Sequence, residues 1–227
     1  MRRFKWFIAA AVVIVAAGVA GGAYYIFGGS SPPPPKLPTA SSVASGPTAT
    51  SPAGTWRVVA AQNTYVGYRV QELFAGETIH KDAVGRTPGV TGTMTCSDQQ
   101  VQAVELTANL TALKSDRGPR DTYLHTHALQ TDTIPNATFA LTTPNALPSA
   151  PRLGAELPVP ISGKLTVHNV TREISTTLTA RWDGATIDVI GTVPIKFADY
   201  GIEKPKTAVV ETEDHGTLEL SLHFTRA

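Results

Sequence analysis

With a single cysteine, Cys96, in 227 residues, the chain cannot be stapled by disulfides within itself. Charge is sparse as well. Asp, Glu, Lys and Arg make up 16% of the residues against 42% hydrophobic, a balance too apolar for a disordered chain. A formal net charge of +1 leaves no concentrated basic face, which excludes an electrostatic nucleic-acid binder. Acid is missing altogether from residues 1–53, which hold only Arg2, Arg3, Lys5 and Lys36, so residues 54–227 carry a mild acidic excess. Catalytic signatures are missing too: no Gly-x-Ser-x-Gly elbow, phosphate-binding loop or dinucleotide fingerprint occurs. His80, His125, His127, His168, His215 and His223 are scattered. Only His125-x-His127 could share a strand face, and no third ligand stands at a recognisable spacing. The sequence therefore predicts no catalytic residue, no metal and no cofactor.

The charge that is missing from the N-terminal region marks what is there. From Trp6 to Phe27 no charge interrupts 22 residues rich in Ala, Val, Ile and Gly. As a helix they would span about 33 Å, enough for a ~30 Å hydrocarbon core. Arg2, Arg3 and Lys5 precede the run, so residues 1–5 are expected in the cytoplasm, 6–27 across the membrane, and the rest outside. The competing reading is a signal peptide cleaved near Gly18-Val19-Ala20. The apolar run continues past that site to Phe27, longer than a signal core of about 7–15 residues, and so favours a retained anchor.

Residues 28–53 read as a disordered Pro/Ser/Thr-rich linker. Pro32 to Pro35 are consecutive, Pro38, Pro47 and Pro52 follow, and few large side chains are present to bury. The linker is expected to act as an extended passive tether.

Residues 54–227 show period-two patterning. Val104, Leu106, Ala108 and Leu110 alternate with Glu105, Thr107 and Asn109; Ile174, Leu178, Ala180 and Trp182 alternate with polar neighbours. Ile187, Val189, Gly191, Val193 and Ile195 follow an Asp183-Gly184 turn expected to make a two-residue hairpin. Leu218, Leu220, Leu222 and Phe224 close the chain. Further strands are expected near 56–60, 64–73, 89–96, 137–143 and 161–169. One buried and one wet face per strand, with no room for helical crossovers, predicts an antiparallel sheet that curls into a barrel. The alternation lapses between Leu113 and Phe139, where a short helix beginning near Pro119 is expected, with Ser115 or Asp116 near its cap. Cys96 falls on the inward parity beside Met94, the place of an inert core thiol.

Several segments together carry a resemblance: Gly54-Thr55-Trp56, Val90-Thr91-Gly92, Lys114-Ser115-Asp116, Arg120-Asp121, Pro135-Asn136-Ala137-Thr138-Phe139, Gly163-Lys164-Leu165-Thr166-Val167-His168-Asn169-Val170-Thr171, and Phe197-Ala198-Asp199-Tyr200-Gly201-Ile202. In order and spacing they resemble the YceI-like family of exported lipid-binding domains, over roughly 54–226. The resemblance implies an all-β fold, an extended lipocalin-like antiparallel barrel with a short helix. It also implies an apolar tunnel for a polyisoprenoid or other long-chain lipid, without catalysis. Ala128-Leu129 stand where the family often has paired aromatics.

An isoprenoid tail needs apolar walls free of unpaired polar atoms. The inward stripes supply them: Leu106, Leu110, Phe139, Leu165 and Val167, with Leu178, Val193, Phe197, Leu220 and Leu222 on the remaining strands. Arg120 and Asp121 are read either as head-group contacts or as a pair that fixes the helix to the barrel. The alternative is a filled barrel serving as an interaction domain for another envelope protein. Nothing in the sequence sets the oligomeric state.

Overall fold

The computed structural model describes residues 31–39, 51–206 and 210–227. Strands are β1 (Gly54–Val58), β2 (Tyr65–Phe74), β3 (Lys81–Thr87), β4 (Val90–Cys96), β5 (Gln100–Asn109) and β6 (Lys114–Ser115). After helix α1 (Gly118–Tyr123), which continues as a wider turn over Leu124–Ala128, come β7 (Asn136–Leu141), β8 (Asn145–Ala146) and β9 (Glu156–Val167). The chain ends with β10 (Val170–Trp182), β11 (Thr186–Lys196), β12 (Val210–Thr212) and β13 (His215–Arg226). The expected membrane segment, 6–27, and residues 1–5 lie outside the described residues. No helix among the described residues is long and apolar enough to cross a membrane.

Every strand pairing is antiparallel, and the sheet closes into an eight-stranded barrel. Several short strands share one barrel position. Along β13, β1 pairs from Trp56↔Arg226 to Val58↔Phe224, and β2 takes over from Tyr65↔Ser221 to Arg69↔Thr217. On the next position β4 pairs with β1 and β3 pairs with β2, the two separated by Pro88-Gly89. β5 then pairs with β4, and β6 with β3. The circuit continues through β7, β9, β10, β11 and back to β13.

Local chemistry sets the connections. The long β9–β10 hairpin turns on His168 and Asn169, at φ of 51° and 60°. Two successive positive φ values match the twist of a hairpin. The β10–β11 connection differs from the expected two-residue turn: Asp183, Gly184 and Ala185 separate the strands. Gly184 takes φ 95°, and the Asp183 carboxylate accepts from the Thr186 N–H and hydroxyl, both at 2.9 Å. Pro158 and Pro160 lie in the part of β9 that pairs with β10 but not with β7, where a missing N–H leaves no ladder bond unmade.

The inward side chains form two apolar clusters. One gathers Trp56, Met94, Cys96, Trp182, Ile187 and Phe224. The other sets Leu165, Val167, Tyr200 and Ile202 beneath Ala128 of the helical segment. Phe139 packs against both.

Candidate functional site

Between these clusters the interior is open. A cavity of about 300 Å³ extends along the barrel, its wall almost wholly apolar. Pro52, Leu147, Pro151 and Ala155 border it among the loops at one end, and Leu124, Ala128, Leu129 and Ile202 at the other.

The alternation of each strand decides which side chains reach this space. Leu106 and Leu110, Phe139, Leu165 and Val167 all line the cavity, as do Leu178, Val193, Phe197, Leu220 and Leu222. The structure thus brings together all ten residues read as inward. Leu110 and Phe197 do so from single 3-10 turns just beyond their strands. Glycines on adjacent strands make room for the larger side chains: a β-carbon on Gly191 would stand 2.3 Å from Leu178 Cδ2, and one on Gly92 2.9 Å from Leu106 Cδ2.

Arg120 and Asp121 are absent from the cavity wall and are engaged elsewhere. The Arg120 guanidinium grips the buried Glu72 carboxylate in a bidentate pair, Nε to Oε1 at 2.9 Å and Nη2 to Oε2 at 2.7 Å, and reaches Asp116 at 2.5 Å. Burial alone would weaken its charge, but the Glu72 carboxylate outweighs that effect and raises its pKa. The Asp121 carboxylate accepts from the Ser115 N–H at 2.8 Å and hydroxyl at 2.7 Å. Both residues therefore fasten the helix to β2 and β6. The expected cap is corrected in the same stroke: Arg117 is the N-cap, without a side-chain cap bond, and Asp121 reaches back to Ser115 instead.

The sequence reading missed Leu124 and Leu129, which close one end of the cavity, and Met94, Val104, Val189 and Trp182, which share its wall. The helical offset of Leu124, Ala128 and Leu129 is the signal that could have found the first group. Trp182, which shares the wall, has its Nε1 buried without a hydrogen-bond partner. Burial pushes the Cys96 thiol up to about 11, so it is protonated and poorly nucleophilic. His125 bonds to Thr131 and to the Leu113 carbonyl, while His127 stacks on Tyr123 with ring centres 5.2 Å apart, so the two do not converge.

The barrel has counterparts among solved structures. A polyisoprenoid binding domain from Saccharophagus degradans, implicated in plant cell wall breakdown, superposes with a TM-score of 0.59 at 17% identity, over 76% of this chain and 98% of that one. BcnA of Burkholderia cenocepacia gives 0.51 at 17% identity, over 69% and 95%. At such identities the likeness speaks for the fold alone. A comparison with curated protein sequences gives no match. The model of the YceI-like domain matches residues 56–224, nearly the whole barrel, and the chain accordingly belongs to the YceI-like family.

Proposed function

We propose that the barrel holds the long apolar tail of a polyisoprenoid or similar amphiphile, tethered by residues 6–27 to the extracytoplasmic face of the cell membrane, for sequestration or transfer and without catalysis. The observation that carries this reading is the apolar cavity running the length of the barrel. Each buried methylene-sized group contributes about 0.8 kcal/mol, so a tail threaded through it binds without polar contacts. The description of the Saccharophagus degradans domain as polyisoprenoid-binding suggests the class of tail. The unpartnered Trp182 Nε1 favours a ligand with an oxygen acceptor over a pure hydrocarbon, since a buried N–H without a partner costs free energy. A filled barrel serving only as an interaction domain is disfavoured by the same open interior.

Mass spectrometry of lipids extracted from the purified full chain tests this reading. A polyprenyl lipid in near-stoichiometric amount is expected; a folded protein that carries no lipid and takes none up from polyprenol-doped vesicles would overturn it. N-terminal sequencing tests the anchor. A mature protein beginning near Gly21 would replace the anchor with a cleaved signal.

A further inference from the structure

The linker was expected to hang free, yet part of it lies against the barrel. The Pro33 carbonyl accepts from Arg86 Nη2 and the Pro38 carbonyl from Arg181 Nη2, both at 2.6 Å. Arg86 is on β3 and Arg181 on β10, with β2, β13 and β11 between them. Five residues of polyproline helix cover about 15 Å, and the two arginine side chains reach the segment near its two ends. Consecutive prolines fix φ and exclude helix, so this stretch is extended before it meets its site and loses little entropy on docking.

The outer wall is built to receive it. Ser221 sits on the outward parity of β13, between Leu220 and Leu222, which line the cavity, yet it is buried. The neighbouring outward residue Glu219 is only 2% exposed, and Asp188 and Arg181 are buried also. Glu219 pairs with Arg69 at 2.5 Å and Arg86 at 3.1 Å, and Asp188 with Arg181 at 3.2 Å, so both arginines are held before they meet the prolines. Pro33, Pro34 and Lys36 border a shallow hollow with Asn63, Tyr65, Arg86 and Ser221. The Arg86 guanidinium lies 4.1 Å from the Tyr65 ring centre. An aromatic ring beside fixed donors that read proline carbonyls is the chemistry by which proline-rich segments are recognised.

We infer that the outer wall spanning β3 to β10 is a binding site for a polyproline segment, occupied by this chain's own Pro33–Pro38. The docked segment is a strap. It covers the outward charged row of the barrel wall.

A nitroxide on Lys36→Cys in the purified full chain reports the contact, because Lys36 is exposed and the buried Cys96 thiol resists labelling. A broad, immobilised spectrum is expected, sharpening when Pro33, Pro34 and Pro35 are all replaced by glycine, which leaves the barrel untouched. The pair Arg86→Lys and Arg181→Lys keeps the charges on Glu219 and Asp188 but loses the planar fork, and should release the label in part. A spectrum already sharp in the proline-containing chain, or one that stays broad in the triple-glycine variant, overturns the inference.

Discussion

The ring of Phe139 lies over Gly163 on the neighbouring strand so closely that a β-carbon there would fall 2.6 Å from Phe139 Cζ and 2.5 Å from the Ala140 carbonyl. Phe139 and its glycine are thus one packing unit, sited where the two apolar clusters meet. Gly163→Ala forces either the ring into the cavity or the strands apart. A loss of about 1–3 kcal/mol is expected from overpacking. Thermal melting checks the loss, and lipid content checks whether the ring has moved inward.

Val167→Trp distinguishes an open tunnel from a solid core. Val167 lines the cavity, so the indole has room to enter it, and the expected result is lost lipid with a melting temperature close to that of the parent. A large fall in melting temperature with unchanged lipid would remove this residue from the ligand path.

Arg120→Ala leaves Glu72 buried without its partner, and a cost of about 3–5 kcal/mol in urea denaturation is expected. Replacing both residues by apolar ones, Arg120→Met with Glu72→Leu, should recover much of it. Lipid content per folded molecule should stay constant throughout. A loss of lipid at unchanged stability would instead make Arg120 a head-group contact.

His223 gives the barrel a pH dependence. Donating its Nδ1–H to the Asp188 carboxylate, at 2.6 Å, raises its pKa above the ordinary 6.5, while burial opposes that shift. A folded-state pKa above the unfolded one means that folding takes up a proton. The stabilisation is therefore complete below about pH 6.5 and is lost as pH rises through the folded value. Denaturation midpoints of the parent chain should fall over that interval, and those of His223→Gln should fall less. Parallel profiles would show that the pair contributes nothing.

What was legible in the sequence is what alternation encodes. Parity placed eight of the ten cavity-lining residues, because a barrel strand has only two faces and the apolar one must turn inward, while Leu110 and Phe197 reach the cavity from 3-10 turns just past their strands. β3 escaped because its inward residues, Ala83, Gly85 and Thr87, are small and form no apolar stripe, while Asp82 and Arg86 face outward to partners on β2 and β13. The helix was visible from Pro119, but the partner of its Arg120 stands 48 positions upstream and no local pattern announces it. The strap was illegible for the same reason: Arg86 and Pro33 are 53 positions apart, and the contact uses a backbone carbonyl that every residue possesses.

Barrel closure joins the two ends of the domain. Arg226 donates to the Ala53 carbonyl across 173 positions, and the last strand pairs with the first. Contacts of that separation form late, since the intervening chain must first surrender its freedom. The domain therefore has no closed interior until its final strand is in place. A chain that emerges N-terminus first would keep its apolar stripes uncovered until the dozen residues of the last strand are free. That interval, rather than the finished barrel, is when it is most exposed to aggregation and to proteases.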